Sequence, residues 1–568
     1  MSWERPDRPR PGFLARLRGA ALEEMFGSPV HRSLLQGPTP ERIAAFAQDL
    51  RKGSPERGEA ILDGVFAHGA DHLIVGSEGD PWATTSPTHR FARRLHGFRW
   101  LADLTAVEGP GRRAAKRLAA SWIATFERWN PFAWRMDVLA ERVISWTCHG
   151  QAFLADEDPL ARQRALDIYA RQIRHLAFAA RDVLDPRVRL KALIALCLSS
   201  AATPDEARRL PGALEHLAEA LDELILADGG CINRNPEALA DTLVELVMLD
   251  GFLKTRDEAA PHALKTAIER MGPMLRFFVI GDGGLPLFHG GGEGDPALIA
   301  ETLARVQPKG RTFSFAPQSG YHRIAAGPVI LILDGAGAPP PDASGEAHAS
   351  ALAIDLSIAG RRVFTSLGPA PSEDPAWQTA TRHTAAHSAL VLADTSSAPV
   401  EFARPGRHTP LVGPPGVTAR RNEEERSVCL EARHEGWRAS YGLVHRRRVY
   451  VDLDGLDIRG EDVLFRLVTD GPSDRDGPVP YAIRFHVHPR VRVRPGEDAK
   501  SVLLDIALRQ IWRFRSDRDI SIEPSVYFGT GRKEDNVQIV ISGMAEPEGR
   551  GEDPPNRILW RLTPGERP

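Results

Sequence analysis

Between about residues 39 and 305, apolar residues recur at i, i+3, i+4 and i+7, the repeat of one helix face. The segments "TPERIAAFAQDL" and "SPERGEAILDGVF" each open on a hydroxyl side chain followed by proline, a cap and a first helical position. The spacing continues through "FARRLHGFRWLADL", "WRMDVLAERVISWTCHGQAFL", "PEALADTLVELVMLDGFL" and "APHALKTAIERMGPMLRFF", with Pro, Gly or Asp in the turns. About ten helices in antiparallel succession predict an α/α toroid or a solenoid of helical pairs, and no fixed sequence period marks a regular repeat array.

From Tyr321 onward the period falls to two. Runs such as "YHRIAAGPVILILD", "HASALAIDLSI", "HSALVLAD", "RRRVYVDLDG", "YAIRFHVHP" and "NVQIVISG" alternate and are separated by Gly, Pro or Asp, the pattern of an antiparallel sandwich. The chain therefore divides into a basic, proline-rich segment (1–38), a helical domain (39–310) and a β-sandwich domain (311–568), an α+β multidomain fold.

Composition acts mainly by exclusion. A net charge of −3 over 568 residues marks no global binder of nucleic acid or membrane, so an acidic polymer would need a local basic groove. Cys148, Cys197, Cys231 and Cys429 are too scattered for a disulfide framework or a zinc knuckle. No uninterrupted apolar run is long enough to span a membrane. The opening "MSWERPDRPRPGFLARLRGAALEEMFGS" lacks an apolar signal core, which points to the cytoplasm, or to the periplasm if the true start lies elsewhere.

Several stretches carry candidate chemistry. In "DGGCINRNPEAL", Pro236 sits at a helix start with Asn235 as its cap, and Arg234 beside it, where anionic groups are favoured. Asn235 is either a plain cap or a ligand for a sugar carboxylate. "LFHGGGEGD" sets His289 against glycines that allow close backbone approach, or that form a hinge. Tyr321 begins the β half, where it could act as an acid or base or simply pack. His348 in "EAHASALAIDL" and His387 in "TRHTAAHSALVL" each precede an apolar run, as core histidines or as two parts of one site. Trp134 and Arg135 in "WNPFAWRMDVLAERVISW" suit stacking on sugar rings and pairing with acidic groups, or core packing, and Arg382 is a further substrate-binding candidate.

Taken in order, "FRWLADL", "WNPFAWRMDVLAERVISW", "DGGCINRNPEAL", "SGYHRIAAG", "EAHASALAIDLSIAGRRVFTSLG", "TRHTAAHSALVLAD" and "RFHVHP" resemble the heparinase II/III-like polysaccharide lyases from about residue 90 onward. The resemblance implies an incomplete α/α toroid followed by an antiparallel sandwich. It also implies β-elimination at a uronic acid of an acidic polysaccharide in the cleft between them. Asn235 matches the family's carboxylate-binding asparagine, and His348 and His387 match histidines at or near a zinc site in metal-containing members.

The chain departs from the pattern at telling places. Glu346 and Ser350 stand where His and Asp often flank His348, Cys231 replaces a histidine, and no tyrosine lies between Tyr169 and Tyr321 to match the catalytic one. His289 or Tyr321 would have to take its place. Zinc needs three or four ligands, so no cofactor is expected. The expected activity is elimination on an acidic polysaccharide or oligosaccharide, with no nucleic acid and no membrane span. The alternatives are an inactive acidic-glycan-binding protein linked to envelope or exopolysaccharide metabolism and, last, a glycoside hydrolase, for which no acidic pair stands out.

Overall fold

Capping side chains set the helix starts. Ser54, Asp158, Asp185, Asn235 and Asp295 each accept hydrogen bonds from the first turn of a helix that has proline at its first position. Helices Pro110–Phe126, Met136–His149, Pro159–Ala179, Pro186–Ala202, Leu210–Leu224, Pro236–Thr255 and His262–Phe278 wind through the first half. Their apolar faces share one core around Trp122, Trp134, Trp146 and Tyr169. The computed structural model describes residues 24–370, 374–402, 409–470, 477–507, 510–549 and 553–565. Most of the basic, proline-rich segment thus lies outside the described residues. No helix among the described residues is long and apolar enough to cross a membrane.

Two local expectations need correction. "TPERIAAFAQDL" is not helical. Its backbone instead bonds laterally to other elements, Ala44 N–H to Ala202 O at 2.8 Å and Ala47 N–H to Thr147 O at 3.1 Å, so tertiary pairing overrides a helical pattern. A hairpin, Val65–His68 with Asp71–Ile74, also interrupts the helical half.

After Pro296–Val306, the last helix of the helical half, the strands pair antiparallel, with only short helices such as Pro375–Ala380 and Arg438–Tyr441 between them. Among the described residues one sheet of the sandwich has eight strands and the other nine. They enclose a core that includes Ile324, Leu331, Phe364, Phe485, Phe514 and Trp560. The expected order of helices, then a sandwich, is present. In the nine-stranded sheet Tyr321–Ala326 pairs with Val329–Asp334, and Tyr321 faces Asp334 across the ladder. That register places one aromatic and one acidic residue at the sheet end that meets the helical half. Asp228, in the turn before Asn235, accepts from the backbone N–H groups of Gln318 and Ser319, tying the two halves together here.

Candidate functional site at the glycine loop

Arg234 and Asn235 enter the long helix Pro236–Thr255 from a turn in which Arg234 has φ +58°, and His289 has φ +50°. Neither is glycine, so both sit in a strained region that the surrounding contacts must hold, a condition that clusters at functional sites. Those contacts form one buried network. The Arg234 guanidinium pairs with Asp334, donates to the carbonyls of Ser319 and Gly337, and lies over the Tyr321 ring at 4.7 Å. His289 Nε2 reaches Asp334 at 3.3 Å, while its Nδ1 accepts from the His348 backbone N–H. The Arg234 guanidinium also lies 3.0 Å from His289 Nε2, so this nitrogen stands between a donor and a carboxylate. Ser350 Oγ donates at 2.7 Å to Asp334 Oδ2, the oxygen that His289 also reaches, while Arg234 holds Oδ1. Burial pushes the Asp334 carboxyl up, but the Arg234 charge and His289 outweigh it and hold it down at about 2.

Tyr321 is fully buried, and its hydroxyl donates to the Arg234 carbonyl at 2.7 Å. It braces the strained turn from beneath. Tyr321→Phe is therefore expected to cost about 1 kcal/mol of stability, the worth of one buried hydrogen bond, and to leave any turnover within a few-fold of the parent. A loss of two orders of magnitude in a kinetic assay would show instead that the phenol transfers a proton.

The glycine run after His289 explains why these residues meet. A Cβ on Gly290 would lie 3.0 Å from the Glu346 carbonyl and 3.6 Å from His348 Nε2. One on Gly291 would lie 2.7 Å from Asn235 Oδ1, and one on Gly292 3.5 Å from the Glu237 carboxylate. The loop thus threads between Asn235, His348 and Glu237. Asn235 caps its helix through Ala238 N–H at 3.0 Å and donates to the His289 carbonyl at 3.0 Å. An amide offers two donors and two acceptor lone pairs, so one of each remains. His348 lies in a loop before strand Ile354–Ile358, and His387 follows a short turn before Leu390–Leu392. Their rings are 5.3 Å apart. Burial pushes His348 well below the ordinary histidine range and His387 down to about 3, so both imidazoles are neutral.

The remaining sequence candidates lie elsewhere or are engaged. Trp134 is buried in the helical core, donating to the Phe126 carbonyl and packing on His175. Arg135 is paired with Asp137 on the surface. Arg382 spends its guanidinium on the carbonyls of Ala347, Ser344 and Thr409, which fixes the loop carrying His348.

The two histidines alone fall short of the three or four ligands that zinc takes. His387 Nδ1 is taken by Ser366 Oγ at 2.8 Å, and its buried Nε2 has no partner among the described residues. No carboxylate completes a set, and no group of three or more His, Cys, Asp or Glu among the described residues is placed to hold a metal ion.

Beside this network a cavity of about 930 Å³ opens in the helical half, closed on one side by Thr530 and Arg532 of the sandwich. Glu237, in the first turn of the helix that Asn235 caps, lines it. The Gly292 N–H donates to Glu237 Oε2 at 2.8 Å. Burial first, and then the charge of Asp241, raise the Glu237 carboxyl above its ordinary range. Sequence reading passed over Glu237. Its signal was an acid in the first helical turn directly after the Asn-Pro pair.

Residues 308–561 match the family described as heparinase II/III-like, C-terminal. Over 98 % of its length the chain is 36 % identical to FtsZ-localized protein C of Caulobacter vibrioides, of which it covers 98 %. The chain belongs to the heparinase II/III-like family. Its fold matches the crystal structure of heparinase III with a TM-score of 0.71 at 13 % identity, over 96 % of this chain and 89 % of that one. A heparan sulfate lyase from Pedobacter heparinus matches with a TM-score of 0.55 at 15 % identity, over 96 % and 88 %. A chondroitinase AC lyase gives 0.52 at 10 %, over 96 % and 83 %. The heparinase II/III-like family is one of polysaccharide lyases, and the glycine loop of this member lies where its toroid meets its sandwich.

Proposed function

We propose that the protein takes an acidic, uronic-acid-containing polysaccharide into the groove between toroid and sandwich and cleaves it by β-elimination, with Glu237 moving the proton. The observation that carries this reading is that Asn235 and Glu237 share the first turn of one helix and flank one glycine loop, with Glu237 facing the cavity. Asn235 has an amide hydrogen left to hold the uronate carboxylate and make the C5 hydrogen more acidic. The Glu237 carboxylate takes the C5 proton, the C4–C5 double bond forms as the C4–O bond breaks, and the proton passes to the departing glycosidic oxygen. A carboxyl raised towards the working pH suits both halves of that transfer. Tyr321 and His289 are not given the proton in this reading, because both are engaged in the buried network around Asp334. His348, neutral and beside Gly290, is the second proton acceptor within reach of the loop.

A second reading, binding of an acidic glycan without turnover, is favoured by the sealing of Tyr321 and His289. The name of the Caulobacter relative, FtsZ-localized protein C, bears on cellular position alone. A fluorescent fusion of this chain is expected to co-localise with FtsZ, and a diffuse signal would remove that part of the proposal. An unsaturated uronide product, absorbing at the far-ultraviolet edge, separates cleavage from binding alone.

A further inference from the structure

The charges lining the toroid cavity are almost all answered within the wall. Arg51 reaches Glu245 at 3.0 Å, Arg57 pairs with Asp103, Arg99 and Lys191 pair with Glu141, and Lys52 pairs with Glu301. Across the lining, seven Asp or Glu residues stand against six Arg or Lys. The cavity is therefore no strongly positive channel. Arg94 is the exception on the helical wall. It projects from helix His89–His96 into the cavity, remains open to solvent there, and makes no ion pair or hydrogen bond with any described residue. Arg90 and Arg99 flank it, and His68 from the hairpin stands beside them. Desolvation within the cavity mouth and the charge of Arg99 lower the Arg94 guanidinium to about 10, against the more distant Glu141 and Asp241, so it is charged at neutral pH. Burial and these same arginines push His68 down to about 3, so it adds a neutral hydrogen-bonding group and no charge. From the opposite side Arg532 enters the cavity, also without an ion pair among the described residues.

We infer that Arg94 is the anion-binding residue of this cavity, and that the glycan it fits is carboxylate-bearing, sparsely charged and unsulfated. An Arg with no internal partner presents a fork that matches one planar carboxylate. A densely sulfated chain would bring several charges per disaccharide into a cavity holding more acids than bases, where like charges repel. This inference rests on the groove being the glycan site, but not on cleavage taking place there.

The test uses the full chain with an unsulfated oligouronate, the same oligosaccharide with its carboxyls reduced, and a chemically sulfated derivative, with binding read by titration calorimetry and product by ultraviolet absorbance. The oligouronate is expected to bind about tenfold or more tighter than the carboxyl-reduced form, with no gain from sulfation. Arg94→Gln is expected to remove that difference and Arg94→Lys to keep part of it, with parental circular dichroism in both, since Arg94 supports no other residue. Tighter binding of the sulfated form, indifference to Arg94→Gln, or no binding of the oligouronate would each overturn the inference. Binding that depends on Arg94 without an unsaturated product would uphold it while refuting cleavage. Product formation indifferent to Arg94 would do the reverse.

Discussion

Asp334→Ala is expected to destabilise the protein by about 3–5 kcal/mol, the cost of removing one partner from a buried ion pair. The carboxylate is fully buried and answers Arg234, His289 and Ser350 at once. Without it the Arg234 guanidinium, itself buried, keeps two backbone carbonyls, the His289 ring nitrogen and the Tyr321 ring but no opposite charge. The turn that presents Asn235 then loses its anchor, so the variant should lose function as well as stability. The pH dependence gives a second reading of the same group. Asp334 is held down at about 2 in the fold, against about 3.9 for a free aspartate. Its contribution is complete above about pH 4 and disappears as pH falls towards about 2, because the unfolded chain binds the proton first. Chemical denaturation of parent and variant measured from pH 7 downward checks both points. A variant within 1 kcal/mol of the parent at neutral pH would contradict the account of the network.

Glu237→Gln is the second large effect, expected in turnover. The amide keeps the size of the carboxylate and can still accept from Gly292 N–H, so folding and glycan binding should persist. It cannot take a proton from carbon. Positioned acid–base groups are worth about 10²–10⁴-fold in rate, and a loss of that size in kcat with little change in KM is expected. Because the Glu237 carboxyl is raised, its base form is depleted as the pH falls, so the parent's rate should decline on the acid side at a higher pH than an ordinary glutamate would give.

The architecture was legible because periodicity is a local property. The switch from helical spacing to alternation falls between the last helix of the helical half, which ends at Val306, and the strand that opens on Tyr321. "TPERIAAFAQDL" misleads because its helical pattern is outweighed by backbone bonds to Ala202 and Thr147, which no local signal announces. The convergence of Asn235, His289, Tyr321, His348 and His387 could be expected from the order of motifs, but their protonation and direction could not. Whether Tyr321 faces a ligand or braces Arg234 depends on Asp334, a residue that reads in sequence only as the acid closing "VILILD". Arg94 was equally silent. It stands in a run of arginines, and only the fold separates the one left unpaired in a cavity from its neighbours.

The central claim is that this lyase-family groove eliminates across a uronic acid through Glu237. The measurement that meets it most directly is absorbance at the far-ultraviolet edge, when parent, Glu237→Gln and Tyr321→Phe proteins are incubated with unsulfated uronic-acid polymers. The account predicts an unsaturated uronide from the parent and from Tyr321→Phe, and a loss of at least about 100-fold in Glu237→Gln. Glycan bound by the parent with no unsaturated product, or product lost in Tyr321→Phe and kept in Glu237→Gln, would contradict it.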